Sequence, residues 1–542
     1  MALYLVQNFA SGLDLRRSAE TAPPGSLRVL SNAFINEGGE IEKRKAFVLD
    51  EDLTAYAQAY KGLVSGPFQV PGNPNAAFFR HRGATLPGAP FVAGGGAVAK
   101  KVTRGAGYEQ LTYWVQQSAA ALTNRGPFMH GGSFSEFASK GYVVEKYLDA
   151  VTGLYRHEHI NITFSSGEPV SEVVVSANAG RTFQFTLDDK GYLINGDILY
   201  ASAVGDPGAM TGTGSGFLNF SAKGRPIGGA LAIGDYYGQL AIFGRRAVQF
   251  YSVDPDFAQN QYQRTVTASI FAPRSAQGYG DGDVMFLGRN GVRSLQARDS
   301  SNLAQVSDVG SPIDRAIRAD MIYGGLGSEP ILTPEGADTP VSDYLSLSTA
   351  IVHPDNGQYW LCLGRKIYCL SRHPAAKVQA WSTYSVPVAR GENENNEVGP
   401  IKSSWVGDIA AIGQTLVMRN FADEVYLYGG VTGDVYDDSR AEVVLPFMDM
   451  GSPGTNKYFN GIDLVCEGRW EVEACTANVE KGRAIPWVKV AEIDGTTRTQ
   501  HRITIQGRGF QGPHIALRLT TTSSQDARVA QIGIVYEDGA KK

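Results

Sequence analysis

Three pairs of aspartates, Asp188 with Asp189, Asp254 with Asp256 and Asp281 with Asp283, have the side-chain type that glycoside hydrolysis needs on either side of a scissile bond. Each pair stands near a turn, where an aspartate ordinarily accepts from its own backbone instead. In "RHEHI" the imidazoles of His157 and His159 fall on one face of a strand and would give a metal two ligands, with no third in view. The glycine-rich "GGGAVAKK" from Gly94 lacks phosphate-loop spacing, and "GTGSGF" from Gly212 has no helix pattern behind it to aim amides at a phosphate. No Gly-x-Ser-x-Gly elbow occurs. No catalytic, cofactor-binding or metal residue is assigned, no cofactor is implied, and the expectation is a non-enzyme.

The remaining charged feature is "NAFINEGGEIEKRKAF", where Lys43, Arg44 and Lys45 follow a turn expected at Gly38 and Gly39. Arg16 and Arg17 form a second basic pair upstream. Phosphate binding is one use for such clusters, yet the chain has 49 basic against 54 acidic residues and a formal charge of -5, the wrong sign for drawing in DNA by counterion release. Lys43, Arg44 and Lys45, with Arg16 and Arg17, are therefore read as assembly or interface residues. Ile41 and Phe47 are expected to pack and Arg44 to pair with a carboxylate, within a ring or across a subunit boundary.

The elements that must position these residues read as strands. Glycine is abundant at 64 residues, aromatics make up 10% and charged residues only 19%, a mixture suited to many short strands joined by tight turns. One pattern recurs, an apolar run, a Gly-Arg turn and a second run, at Gly180, Gly244, Gly288 and Gly364. The interval from Gly244 to Gly288 has the length of a propeller blade, and six or so blades fit between Leu63 and about Asp438. "YEQLTYWVQQSAAALTN" predicts a helix on Leu111, Trp114 and Val115, and "SPIDRAIRADM" a second with Ser311 as N-cap and Pro312 at its first position. The Gly- and Pro-rich stretch after Tyr323 reads as a long exposed loop open to partners, as does Gly205 to Gly216.

From about Ala441 apolar residues alternate regularly: Ile503 with Ile505, and Ile515, Leu517 and Leu519 against Ala516, Arg518 and Thr520. Trp470, Val472, Ile532, Ile534 and Tyr536 extend the inward face. The fold expected is mainly β, an irregular β-propeller (61–440) between an extended N-terminal arm (1–60) and a C-terminal antiparallel β-sandwich (441–542). Cys362 with Cys369 and Cys466 with Cys475 each straddle an expected turn and are read as buried reduced thiols. The opening "MALYLVQNFA" has no basic flank, and no run approaches the roughly 20 apolar residues of a membrane span, so a soluble protein made in the cytoplasm is expected.

The opening "NFASGLDLRRSAETAPPGSLRVLSNAFINEGGEIEKRKAF" resembles the start of the tail tubular protein B, or nozzle, of short-tailed bacteriophages, in Gly12, Pro24 with Gly25, Asn32, Gly38 with Gly39, and Lys43 with Arg44. "AKVQAWSTYSVP" with Trp381, and "GSPGTNKYFNGIDLVCEG" followed by an alternating sheet ending in "IGIVYED", are similar to the same family. The resemblance implies a virion protein: about six copies in a ring, a hexamer below the head-to-tail adaptor, surrounding the channel through which DNA leaves, with transient non-specific DNA contact and an outer surface for fibres or spikes. The rival reading is a glycan-binding or glycan-cleaving propeller of tail-spike or sialidase type. "HPDNGQYW" supports it by setting Asp355, Gly357 and Trp360 at the spacing of a sialidase Asp box, with His353 where that motif has Ser or Thr.

Overall fold

The computed structural model describes residues 1–52 and, with short interruptions, 76–539. Up to residue 197 beyond that first segment it gives strand backbones, and Tyr192 alone among side chains. The segments 205–211, 301–307, 324–347, 390–403, 477–486 and 506–509 lie outside the description. The chain is mainly β: the described residues form a succession of small sheets, two short α-helices and one large C-terminal sheet.

In chain order, sheet I holds Ala76–Phe79, Ala99–Arg104 and Leu111–Gln116, and sheet II runs from Arg125–Phe128 to Glu168–Ala179. Sheet III comprises Gln184–Leu187, Lys190–Asn195, Ile198–Ala201 and Gly216–Asn219. Sheet IV comprises Ala230–Tyr236, Gln239–Gly244, Val248–Ser252 and Tyr262–Val266. Sheet V has Gln277–Tyr279, Asp283–Gly288 and Gly291–Ser294, and is followed by helices α1 (Leu295–Ser300) and α2 (Asp314–Tyr323). Sheet VI has Thr349–Val352, Tyr359–Leu363, Lys366–His373 and Val378–Ser385. Sheet VII has Val406–Ile412, Thr415–Asn420 and Glu424–Tyr428, and its fourth strand is Phe47–Asp52 from the other end of the chain.

Strand periodicity explains why the central strands of sheets IV to VII read as nearly continuous apolar runs. Successive side chains point to opposite faces, and both faces of each interior sheet are covered. Leu240 and Ile242 pack toward Leu199 of sheet III, while Ala241 and Phe243 pack toward Val284 and Phe286 of sheet V. Met285 and Leu287 then meet Tyr359 and Leu361 of sheet VI, whose Trp360 and Cys362 turn the other way onto Ile409 and Met418 of sheet VII. Each interface is one layer of buried apolar side chains between neighbouring sheets.

The N-terminal segment is woven into other sheets. Ala2–Val6 and Ile41–Lys43 both pair with Arg528–Asp538, and Val29–Ser31 bridges Val378–Ser385 of sheet VI to Ala441–Val444. The C-terminal sheet centres on one long strand, Lys457–Cys475, whose first part pairs with Arg528–Asp538 and whose last part pairs with Ala516–Thr521. It changes neighbour near Gly468, at φ +83°, where a Cβ would lie 2.7 Å from the Asp526 carbonyl. Trp470, Val472, Ile515, Leu517, Leu519, Ile532 and Ile534 all point into this core beside Phe9, Leu27 and Leu30.

Three local expectations are corrected. Leu111–Gln116 is a strand, paired antiparallel with Ala99–Arg104, and not a helix. Its run of Thr, Tyr, Trp and Val favours the extended backbone over a helix too short to nucleate alone. Cys466 and Cys475 lie in a single strand with no turn between them, although Cys362 and Cys369 do flank the turn at Gly364; all four are buried thiols. Helix α2 begins at Asp314 rather than after Ser311, because Ile313 N donates to Gly310 O at 2.9 Å and closes a turn first.

Candidate functional site

The basic cluster after the double-glycine turn is a buried clasp. Ala33–Ile35 and Ile41–Lys43 form the hairpin, and Gly39 takes φ +76° in its turn, a conformation costly for residues with a Cβ. Asn36 accepts from Gly38 N and Glu40 N at 3.0 and 3.1 Å, fixing the loop from inside. Lys43, fully buried, donates through Nζ to the Asp437 carbonyl at 2.6 Å and to the Ser523 carbonyl. Burial pushes its amine down to about 8, with the Asp437 charge opposing and the Arg44 charge adding to the shift.

Arg44 is 2% exposed and addresses four parts of the chain. Nε donates to Asn32 Oδ1 at 2.9 Å, one terminal nitrogen to Asp437 Oδ2 at 3.0 Å and to the Lys45 carbonyl at 2.6 Å, and the other to the Ser385 carbonyl at 3.4 Å. Its guanidinium also lies 4.8 Å from the Phe47 ring centroid. Burial alone would raise the Asp437 carboxyl, but the Arg44 charge and bonds from Ser439 and Arg44 outweigh it and hold it below its ordinary range. Lys45 is half-buried and pairs with exposed Asp434 at 3.2 Å. These contacts join the hairpin, sheet VI, the 434–440 connection and the C-terminal sheet.

Asn32 is the member that sequence reasoning undervalued. It sits at φ +52°, accepts from Ser385 N at 2.9 Å, and donates to Ser385 Oγ and the Arg440 carbonyl, both at 2.9 Å. The available signal was chemical: asparagine is among the few non-glycine residues that visit the left-handed region. Asp437 and Ser385 carried no local signal, since their partner lies hundreds of residues away.

The other basic pair is exposed. Arg16 grips Asp14 through Nε and a terminal nitrogen at 3.2 and 3.1 Å, and the Arg17 carbonyl accepts from Arg28 at 2.7 Å. The chain makes one close approach on each side of this pair. A Cβ on Gly12 (φ +53°) would meet Ala380 Cβ at 2.6 Å, and one on Gly25 (φ +86°) would meet the Asn8 carbonyl at 2.2 Å. Leu13 N donates to the Trp381 carbonyl at 2.9 Å, and buried Trp381 donates its indole N–H to Val309 O at 2.7 Å.

The residues weighed for catalysis are engaged in turns or lie beyond view. Asp254 and Asp256 accept from Asp256 N and Ala258 N at 2.9 and 3.1 Å, and Asp283 accepts from Ser294 Oγ and Gln296 N. His353 Nδ1 accepts from Asp355 N at 3.2 Å, Gly357 N donates to the His353 carbonyl at 3.0 Å, and Trp360 is buried below, so this stretch is a turn lock. Asp188, Asp189, Asp281, Gly180 and the loop after Tyr323 lie outside the described residues, as do the side chains of His157 and His159. Among the described residues no cluster of three or more metal-ligating side chains occurs, and no helix is long and apolar enough to cross a membrane.

The Gly-Arg repeat has a packing cause at two of its positions. A Cβ on Gly244 would fall 2.4 Å from the Ile227 carbonyl and one on Gly288 would fall 2.9 Å from the Ser269 carbonyl, where segments entering the next strand cross the turn. Gly364 takes φ +62° between its two strands.

No family model and no curated protein matches the chain. Among solved structures, a functionally unknown protein from Desulfotomaculum acetoxidans is similar at 10% identity and TM-score 0.31, covering 56% of this chain and 85% of its own. PorZ, a surface component of the type-IX secretion system of Porphyromonas gingivalis, is similar at 11% identity and TM-score 0.29, covering 73% of this chain and 57% of its own. The computationally designed protein Ika8 is similar at 11% identity and TM-score 0.26, covering 60% of this chain and 80% of its own.

Proposed function

We propose that this chain is a structural, non-enzymatic subunit of a short phage tail, a nozzle whose copies form a ring around the DNA exit channel. In this reading sheets II to VII are six blades of an irregular β-propeller, and the C-terminal strands form a β-sandwich. One edge strand of each sheet lies beside an edge strand of the next, from Ser133–Phe137 through Gln184–Leu187, Ala230–Tyr236, Gln277–Tyr279 and Thr349–Val352 to Val406–Ile412. Completion of sheet VII by Phe47–Asp52 is the kind of strand exchange that fastens a ring of blades.

The observation that carries the functional reading is the fate of the residues on which the family resemblance rests. Gly12, Gly25, Asn32, Gly39 and Arg44 each occupy a position whose backbone angle, close approach or buried bonding calls for that residue type. The segment at Trp381 meets the opening segment in space through Gly12 and Leu13. Lys43 and Arg44 are used inside the chain, which leaves a mildly acidic protein suited to letting DNA slide, since every neutralised phosphate adds binding and friction. Electron microscopy of recombinant assemblies or purified particles tests the reading: a sixfold ring of this subunit is expected, and a stable isolated monomer absent from virions overturns it.

A further inference from the structure

The Gly-Arg turns converge on one end of the sheet stack. In sheets IV, V and VI the turn between second and third strands carries Arg245 with Arg246, Arg289, and Arg365. Ile270 N donates to the Gly244 carbonyl at 3.2 Å, and the neighbouring Ser269 carbonyl crosses Gly288, so one connecting segment touches the turns of sheets IV and V. Helix α2 links the next pair. Asp314 holds Arg293 at 2.7 Å beside the sheet V turn, and Asp320 holds Lys366 at 3.0 Å, next to Arg365. Both helix carboxylates are thereby engaged, while Arg245 and Arg246 face solvent.

The opposite end has the opposite sign at sheet IV. There Tyr237 N donates to the Gly282 carbonyl at 3.2 Å, joining the first turns of sheets IV and V. Asp235, Asp254 and Asp256 stand at this end, each held through Oδ1 by a backbone N–H of its own turn at 2.8 to 3.1 Å. Arg264 is already paired with Asp299 at 2.7 Å, and exposed Arg372 lies over the Tyr279 ring at 6.0 Å beside the sheet V turn, so the acidic corner is formed by the sheet IV turns.

We propose that these two ends are the halves of a head-to-tail contact between copies of this chain: the arginine turns of one subunit dock against the Asp235, Asp254 and Asp256 corner of the next. A contact between two different surfaces of one chain repeats from copy to copy and closes into a ring when the rotation allows. The inference rests on the ring reading above and names the surfaces that build it. Guanidinium forks match carboxylates in planar, often bidentate pairs. A second copy is favoured over a phosphate polymer because the chain's charge of -5 repels a polyanion at a distance, whereas the required carboxylates stand on the chain itself.

The test is sedimentation velocity of the full chain, with unfolding midpoints measured alongside. R245E/R246E and D254R/D256R should each weaken association about tenfold or more, because like charges then face each other. D254N/D256N, which keeps the Oδ1 acceptors of the turns, should weaken it as well. An equimolar mixture of R245E/R246E with D254R/D256R should associate again, since every contact in an alternating ring is then between opposite charges. Unchanged association in the folded reversal variants, or a mixture that stays dissociated, overturns the inference while a wild-type ring would leave the functional reading standing. Binding of labelled duplex DNA by the wild type that R245E/R246E abolishes, with association unaffected, would assign the arginine end to a polyanion and also overturn it. A wild-type chain that is monomeric at every concentration defeats both.

Discussion

Arg44 and Asp437 meet at 3.0 Å although 393 residues separate them, and the pair fastens the chain's opening segment to the connection that leads into its C-terminal sheet. Arg44 is buried and Asp437 partly so, which places the pair where losing one member leaves a desolvated charge. Asn32, Ser385 and Lys45 take three more of the five guanidinium N–H groups, so geometry as well as charge is specified.

Replacing Arg44 by alanine should therefore cost about 3 kcal/mol of stability, within the range for breaking a buried pair from one side. Arg44→Lys should recover little of it, because an ammonium cannot reach Asn32, Asp437 and the Ser385 carbonyl together. Denaturant unfolding measures both. Under the nozzle function proposed above, the same change should reduce particle assembly more than the rate of DNA ejection; normal assembly with slowed ejection would instead assign Arg44 to the channel.

His353 gives a pH signature. Burial in the aromatic layer with Trp360 and Tyr428 pushes its pKa down to about 4, with the Asp355 charge opposing. Between its unfolded value near 6.5 and about 4 the unfolded chain binds a proton that the folded chain refuses. The stabilisation is thus complete above pH 6.5 and is lost as pH falls to about 4, on the order of 3 kcal/mol in all. His353→Asn, whose Oδ1 can accept from Asp355 N as the imidazole does, should flatten the acid limb of a plot of unfolding free energy against pH. An unchanged slope would show that another group sets it.

Local periodicity made the C-terminal strands readable: Ile515, Leu517 and Leu519 alternate in sequence and are all buried, because a period of two needs no knowledge of the partner strand. The turn at Gly38 and Gly39 was legible for the same reason. Leu111–Gln116 was not, since a six-residue apolar and aromatic run fits either period and its strand partners decide. Phe47–Asp52 gives no sign that it belongs to Glu424–Tyr428, and the union of Cys466 and Cys475 in one strand depends on a change of neighbour near Gly468. What escaped the sequence is pairing across hundreds of residues, and the clasp consists of such pairings.

The crossing segments at the Gly-Arg turns predict a graded glycine series. Gly244→Ala and Gly288→Ala place a methyl 2.4 and 2.9 Å from backbone carbonyls that cannot rotate away, and each should cost about 1 to 3 kcal/mol. Gly278→Ala, with nothing within 4 Å of the new carbon, should be close to neutral. Thermal unfolding of the three variants checks the order, and equal effects would remove the packing account of the repeat.

Removing the opening segment gives the broadest test of the weave. Without residues 1–52, sheet VII loses its fourth strand, Arg528–Asp538 loses two neighbours and the C-terminal core loses Phe9, Leu27 and Leu30. Burying each large apolar side chain contributes roughly 1.5 to 3 kcal/mol, so losing Val6, Phe9, Leu13, Leu27, Leu30, Ile35, Ile41 and Phe47 together removes about 12 to 24 kcal/mol, as much as or more than the roughly 5 to 15 kcal/mol that holds a typical domain folded. The truncated chain should be insoluble or protease-sensitive from sheet VII onward, and co-expression of residues 1–52 as a separate peptide should restore protection there, because the clasp contacts form between side chains and do not need the covalent link. Hydrogen exchange at Glu424–Tyr428 and Arg528–Asp538 reads this directly: slow exchange in the truncated chain alone would mean that these strands hold their sheets without the opening segment, and the weave would then be a covering layer instead of a structural requirement.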